Sequence, residues 1–321
     1  MNTCRFSTIA VASLGALSLV AIRPACADVV FTFTTIDVPG AAATEALGIN
    51  NQGRIVGFSV GNSGENGFKE HNGHFKILSD PNAVGGTIAS GINNNGQIAG
   101  TYGDSDGLSN GFTKIKGGGY TTVDHGNALQ TIITGINDDG DVVGYYQAAD
   151  GGSKPHSFFG TKGSFTDVSD PDGNNTVASG LNNFDDVVGS YTKGKNTFGF
   201  LDVGGTFTKI ADPNATGYTV ATGINNLNEI VGYYSANEGP FDSFLDIGGS
   251  FQTIDVPGAL FTQAFGVNDH GDIVGTYEGQ DEALHGFLAT PTPEPSTVAT
   301  FTLAFLSLGG LALRARRRKV R

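Results

Sequence analysis

Judged by residue type and spacing, the oxygen-rich acidic clusters of this chain most resemble a site that could bind a metal ion. Three clusters combine aspartates with a glycine, at positions 104–107, 138–141 and 170–174. Carboxylate oxygens around a tight turn are ligands that Ca²⁺ prefers, although none of the clusters completes a calcium loop ending in glutamate. We expect calcium most at Asp104 and Asp106, because these two residues fall in a loop of variable sequence.

Other patterns with catalytic or metal-binding meaning are absent from the sequence. The six histidines show no zinc-ligand spacing, and there is neither a Gly-x-Ser-x-Gly elbow nor a phosphate loop with a lysine. Five tyrosines recur at one repeat position, and we expect them to pack between neighbouring structural units. The alternative is a sugar-binding surface, which the lack of tryptophan disfavours. The five are Tyr102, Tyr146, Tyr191, Tyr234 and Tyr277.

The elements that must position these residues follow from an internal repeat. The segment Gly48–Gly57 (GINNQGRIVG) returns five times, with starts separated by 43, 44, 45, 43 and 43 residues. A period in the forties that is built of short strands is typical of propeller blades. The sequence is therefore most informative about architecture.

Each copy of the repeat predicts a β-hairpin. Apolar residues flank an Asn-x-x-Gly turn, whose fourth residue needs a positive φ. Only glycine, asparagine and aspartate occupy that fourth position, and these are the residues that tolerate the left-handed region. The six turn positions are Gly53, Gly96, Gly140, Asp185, Asn228 and Gly271.

The two ends of the repeat region complement each other. A third strand centred on phenylalanine and a fourth alternating strand follow each hairpin, but the last copy stops after its third strand, around Phe287. A lone fourth-strand sequence begins at Phe33, before the first hairpin. Residues 28–290 therefore predict an all-β, six-bladed β-propeller, closed by pairing of residues 33–38 with the segment around Phe287. An open stacked solenoid is the alternative.

In such a propeller the variable loops share one face, opposite the regular Asn-x-x-Gly turns. Function on a scaffold usually lies on variable loops, so we expect binding at the loop face. A channel active site is disfavoured, because Glu45 is the acidic residue found among the first-strand copies at 43–50, 88–93 and 131–137. Glycoside hydrolysis needs a pair of carboxylates.

The two ends of the chain carry export signals. Residues 1–27 predict a signal peptide with a charged start, an apolar region and a small-residue cleavage site. Both cysteines, Cys4 and Cys26, lie inside it, and a lipid anchor on Cys26 is disfavoured by the preceding Arg23-Pro24. A proline-rich linker (291–296), an apolar transmembrane helix (297–313) and a basic cytoplasmic tail (314–321) follow the propeller.

The charge of the predicted domain restricts its partners. Residues 28–294 contain all 31 acidic residues but only ten of the 18 basic ones. Such an excess of negative charge repels nucleic acid and anionic lipid. Nucleic acid is therefore excluded from the expected partners.

Two resemblances add to this interpretation. The motif Pro293-Glu294-Pro295, the short apolar helix and the basic end resemble the PEP-CTERM sorting signal, which implies processing by an exosortase in bacteria that make exopolysaccharide. The repeats resemble HAF-type extracellular repeats, although they read His-Gly-Phe or Ser-Phe where that family has His-Ala-Phe. Neither family implies catalytic residues.

Together these observations predict an exported, non-enzymatic binding or structural propeller. We expect it to be anchored in the inner membrane by its C-terminal helix and then placed at the cell surface or in exopolysaccharide. One alternative is an extracellular enzyme that acts on a polysaccharide or a small substrate. Another is a matrix protein stabilised by calcium.

Overall fold

The computed structural model describes residues 28–292, except for residues 63, 127, 150–153, 162, 172 and 238. The predicted signal peptide, the Pro293–Pro295 motif, the apolar helix and the basic tail lie outside the described residues. Within the described part, the chain forms 24 β-strands. No helix there has the length and apolarity needed to cross a bilayer.

Five four-stranded antiparallel blades follow one another along the chain. Blades 4 and 5 are also joined by one parallel bridge, between Thr197 and Tyr218. The strands of blades 1 to 5 are, in order, β2–β5 (Ala43–Ile49, Ile55–Gly61, Gly64–His71, His74–Leu78), β6–β9 (Thr87–Ile92, Ile98–Gly103, Ser109–Lys114, Tyr120–Val123), β10–β13 (Ala128–Ile136, Val142–Ala148, Pro155–Thr161, Ser164–Val168), β14–β17 (Asn174–Leu181, Val187–Lys193, Asn196–Val203, Thr206–Ile210) and β18–β21 (Tyr218–Ile224, Glu229–Ser235, Phe241–Ile247, Ser250–Ile254).

Blade 6 is assembled from the two ends of the described chain. It contains β22 (Phe261–Val267), β23 (Ile273–Glu278), β24 (Leu284–Pro291) and, as its outer strand, β1 (Phe31–Ile36). Strand β1 runs antiparallel to β24, with Phe33 opposite Ala289 and Thr35 opposite Phe287. The predicted closure of a six-bladed propeller is therefore confirmed, and the open solenoid is excluded.

The closure extends slightly beyond the predicted domain boundary. Pro291 is the last residue of β24, and the backbone N–H of Thr292 donates to the carbonyl of Val30 at 2.7 Å. The first two residues assigned to the linker thus continue the sheet.

An aromatic pair forms the centre of every blade. The third strand contributes a phenylalanine with no exposed surface, and the fourth strand contributes a ring whose centroid lies 5.2–6.0 Å away. In blade 6 this second ring is Phe33, which comes from the N-terminal strand. The pairs are Phe68–Phe75, Phe112–Tyr120, Phe158–Phe165, Phe200–Phe207, Phe244–Phe251 and Phe287–Phe33.

The last glycine of each repeat motif is required because the backbone of the first strand approaches it closely, and not because it lies in a turn. A Cβ atom on Gly144 would lie 2.0 Å from the carbonyl oxygen of Ile132, and its five counterparts would meet a carbonyl oxygen at 1.9–2.1 Å. Each of these glycines pairs with the first strand of its blade beside a register shift. Any side chain at this position would push the two strands apart.

The repeat turns have the backbone conformation that their residues favour. The six turn positions defined above have φ between 59° and 83°. The non-glycine members are Asp185 (63°) and Asn228 (59°). All six turns lie on one face of the propeller, hereafter the turn face.

Candidate functional site

Six asparagines from the repeat turns surround the propeller axis. Each is only 3–4% exposed, and its Oδ1 accepts backbone N–H groups of its own turn, as Asn225 does from Leu227 and Glu229. In five blades its Nδ2 donates to a carbonyl of the next blade, whereas Asn137 donates to Asp185. This inner ring consists of Asn50, Asn93, Asn137, Asn182, Asn225 and Asn268.

The residues that follow these asparagines form a second, outer ring. The backbone N–H of each outer-ring residue donates to the side-chain oxygen of the next one at 2.6–2.9 Å, and the sixth donates back to the first. The outer ring consists of Asn51, Asn94, Asp138, Asn183, Asn226 and Asp269. Because these polar groups satisfy one another, the two rings hold the blades together around a cavity of about 80 Å³.

The two aspartates of the outer ring lie three blades apart. Asp138 accepts from the amides of Asn94 and Asn183, and Asp269 accepts from Asn51 and Asn226. Although burial opposes it, the amides of Asn226 and Asn51 hold the pKa of Asp269 below its ordinary value. Both carboxylates are thus occupied within the ring.

The opposite face, hereafter the loop face, carries the connections of differing length between blades. Two residues after each fourth strand, a backbone N–H on this face donates to a threonine of the next blade, as that of Asp80 does to Thr87. In three blades the side chain at this position has a buried polar atom with no hydrogen-bond partner in the described protein. The atoms are Asp80 Oδ2, His125 Nδ1 and Asp212 Oδ2.

The recurrent tyrosines lie beside these positions. Tyr102, Tyr191 and Tyr234 are 3–6% exposed and belong to the clusters between blades. The hydroxyl group of Tyr234 bonds with that of Thr253 within the blade, and the ring of Tyr146 stacks on His125 at 3.8 Å. The rings of Tyr102, Tyr191 and Tyr234 therefore fill space between blades and do not form an open stacking surface.

A histidine at the closure of the ring is held between two carboxylates. His285 Nδ1 lies 2.9 Å from Asp37 Oδ2, and Nε2 lies 3.2 Å from Asp281 Oδ1. The ring also stacks on Tyr277. Although burial opposes it, hydrogen bonds with Asp37 and Asp281 hold the pKa of His285 above its ordinary value. The bond with Asp37 links β24 to the segment after β1.

Two glutamates interact in blade 1. Burial, followed by the negative charge of Glu65, raises the pKa of Glu45, and burial also raises the pKa of Glu65. A carboxyl group with a raised pKa can act as a general acid. The sequence patterns single out Glu45 alone, because Glu65 lies 20 residues away on β4 and only the fold brings the two together.

The predicted calcium residues Asp104 and Asp106 are neighbours in a tight loop. Oδ1 of Asp104 accepts the backbone N–H groups of Asp106 and Leu108, and Oδ2 accepts the amide of Asn110. These hydrogen bonds, chiefly the one from Asn110, lower the pKa of Asp104. Among the described residues no three acidic or histidine side chains converge as a metal site would require, and calcium binding stays a prediction.

Comparison with known proteins supports the architecture. No protein-family model and no curated protein matches the sequence. The fold is similar to that of TolB from Acinetobacter baumannii, with a TM-score of 0.52 and 11% identity over 74% of this chain. The chain spans 63% of the length of that TolB structure.

Two further solved structures are similar over most of their length. AofleA from Arthrobotrys oligospora has a TM-score of 0.52 and 12% identity, covering 80% of this chain and 86% of AofleA. The Aleuria aurantia lectin in complex with Fucα1-6GlcNAc has a TM-score of 0.50 and 13% identity, covering 79% of this chain and 98% of the lectin. At these identities the similarity shows a β-propeller fold and nothing finer.

Proposed function

We propose that this chain is an exported, non-enzymatic propeller that binds extracellular polysaccharide through its loop face. The observation that carries the proposal is the set of buried polar atoms at Asp80, His125 and Asp212, which lack partners in the described protein. An unsatisfied buried polar atom costs about 1–3 kcal/mol, so its retention at three equivalent positions favours a polar ligand. Because the two carboxylate oxygens are buried, sugar hydroxyl groups would donate to them once the loops over these positions open.

The difference between the two faces supports the same assignment. On the turn face the asparagine rings satisfy their own hydrogen bonds, and their chemistry repeats from blade to blade. On the loop face the connecting loops differ in sequence, which is where binding groups on a rigid scaffold are usually found. The lectin similarity supports the proposal only through the shared fold.

The binding test uses substitutions that retain side-chain volume. Asp80→Asn and Asp212→Asn together should weaken retention on immobilised exopolysaccharide, whereas Asp139→Asn on the turn face should leave it unchanged. Equal retention by all three proteins, or loss only with Asp139→Asn, would refute the loop-face assignment. Circular dichroism should show the same fold in each variant.

Export and sorting are proposed from the two ends of the chain. The PEP-CTERM resemblance supports insertion in the inner membrane, processing by an exosortase and release to the surface or matrix. Replacing Pro293, Glu294 and Pro295 with alanine should leave the protein in the membrane fraction. A mass spectrum of the mature protein would show both processed ends, and intact termini would refute this part of the proposal.

An enzymatic function is the second candidate, and the raised pKa values of Glu45 and Glu65 favour it. Purified protein should be screened for reducing-end release from polysaccharides. Turnover that is lost in both Glu45→Gln and Glu65→Gln would replace the non-enzymatic proposal. Lack of turnover together with retention on the polysaccharide would support it.

A further inference from the structure

Half of the domain's basic residues gather at one groove between blades 1 and 2. Lys69, Lys76, Lys114 and Lys116 line this groove, and Arg54 is close enough to act electrostatically on Lys69. Residues 28–292 contain only ten lysines and arginines in total. A positive site of this density is unexpected on a strongly acidic domain.

The groove has fixed walls and an apolar floor. Lys69 and Lys76 are directly opposite each other on β4 and β5. On the other wall, Lys114 Nζ donates to the carbonyl of Gly118 and lies 4.8 Å from the centroid of the Tyr120 ring. Leu78, Ile98 and Ile115 supply the apolar side chains in the lining of this cavity of about 180 Å³. The lysines thus line a partly open groove.

The repeat does not require positive charge at these positions. Lys69 occupies the strand position at which four other blades have an apolar side chain, and Arg54 occupies a turn position at which four other blades have an acid. The counterparts of Lys69 are Phe159, Leu201, Leu245 and Leu288, and those of Arg54 are Asp141, Asp186, Glu229 and Asp272. Blade 1 therefore departs from the repeat twice, each time towards positive charge.

The change at Arg54 is accommodated within its own turn. In three blades the acid at this position accepts the inner-ring amide, as Glu229 does from Asn225. In blade 1, Gln52 accepts the amide of Asn50 at 3.0 Å and also the guanidinium of Arg54 at 2.8 Å. The inner asparagine ring is therefore preserved in blade 1, although the turn carries a positive charge where four other blades carry a negative one.

The clustered charges repel one another in the free protein. Burial, followed by the positive charges of Arg54 and the neighbouring lysines, lowers the pKa of Lys69. Like charges directly opposite on neighbouring strands are destabilising, and among the described residues none of the four lysines forms an ion pair. An anion placed between them would offset this repulsion.

We propose that this groove binds a small anionic ligand, specifically a sugar that carries a carboxylate or sulfate group. The lysines supply charged donors for the oxyanion, and the apolar floor fits the C–H face of a sugar ring. The surrounding excess of acidic residues repels an extended polyanion such as nucleic acid or an anionic bilayer. The groove opens on the turn side, so the inference is independent of binding at the loop face.

The test is calorimetric titration of the purified full-length protein at low ionic strength with sodium glucuronate and with sodium sulfate. We expect binding that weakens as salt is added. Lys69→Leu introduces the residue found in blades 4, 5 and 6 and should weaken binding at least about tenfold, the effect of losing one charged hydrogen bond. Lys195→Gln removes an equal charge from a distant loop and should leave affinity unchanged.

The outcomes separate the ligand chemistries and the two proposals. Binding of glucuronate assigns a uronate ligand, whereas binding of sulfate alone assigns a sulfated one. Lack of binding of both probes overturns the inference, as does equal affinity of the wild type and Lys69→Leu. Because Asp80 and Asp212 lie on the opposite face, their variants should bind glucuronate like the wild type, whatever happens to polysaccharide retention.

Discussion

The closure of the ring predicts that a residue near the N-terminus stabilises a core built mostly from other blades. Ile36 in β1 is 7% exposed and packs in one cluster with Ile49, Phe68 and Val274. Substitution by alanine removes three carbons, at about 0.8 kcal/mol each, or about 2.4 kcal/mol. The cavity left behind raises the expected loss for Ile36→Ala to about 3–4 kcal/mol.

The measurement is urea unfolding followed by far-UV circular dichroism, since the chain has no tryptophan. Ile254 occupies the equivalent strand position in blade 5 and is 1% exposed, so Ile254→Ala should cost a similar free energy of unfolding. Ile77 is 49% exposed in the neighbouring strand position of blade 1, and Ile77→Ala should change stability by less than about 0.5 kcal/mol.

A small effect at Ile36 would refute the reasoning. If Ile36→Ala cost no more than Ile77→Ala while Ile254→Ala cost several kcal/mol, β1 would not contribute to the core in solution. The closed ring would then be wrong, although the separate blades could stand.

Three further predictions concern ionisation and close packing. Because the pKa of His285 is raised in the folded state, its carboxylate contacts stabilise the fold below pH 6.5, and this contribution is lost as the pH rises through the folded-state pKa. The stability advantage of the wild type over His285→Gln in thermal unfolding should therefore shrink from pH 6 to pH 8. The raised pKa of Glu45 costs stability once the group ionises, so Glu45→Gln should raise the unfolding free energy at pH 7 but not at pH 4. A Cβ atom on Gly144 would lie 2.0 Å from a carbonyl oxygen, whereas one on Gly119 would have no neighbouring atom within 4 Å. In urea unfolding, Gly144→Ala should therefore lower the free energy of unfolding by at least about 3 kcal/mol and Gly119→Ala by less than about 0.5 kcal/mol.

Each of these predictions has a contrary outcome. A pH-independent difference for His285→Gln would show that the imidazole is not held by Asp37 and Asp281. Destabilisation by Glu45→Gln at pH 7 would show that the carboxylate is favourably paired. A neutral Gly144→Ala would show that the strands separate at little cost.

The repeat by itself determines the architecture. Strands within a blade pair with their neighbours in sequence, so the alternation around Phe75 or Phe207 and the turn residues at Gly53 or Asp185 are local signals. The sequence also predicts the closure of the ring, because the unmatched strand at Phe33 supplies the fourth strand that the last blade lacks. A periodic chain carries its strand order in its spacing.

What the tertiary structure alone decided is how side chains from different blades meet. The asparagine rings, the contact of His285 with Asp37 across 248 residues and the lysine groove depend on which blades are neighbours. The interaction of Glu45 with Glu65 depends on how the strands of blade 1 lie against one another. The sequence by itself determined the blades because their hydrogen bonds are local. It did not determine these sites, because their electrostatics come from residues that are separated in sequence and that only the folded chain brings together.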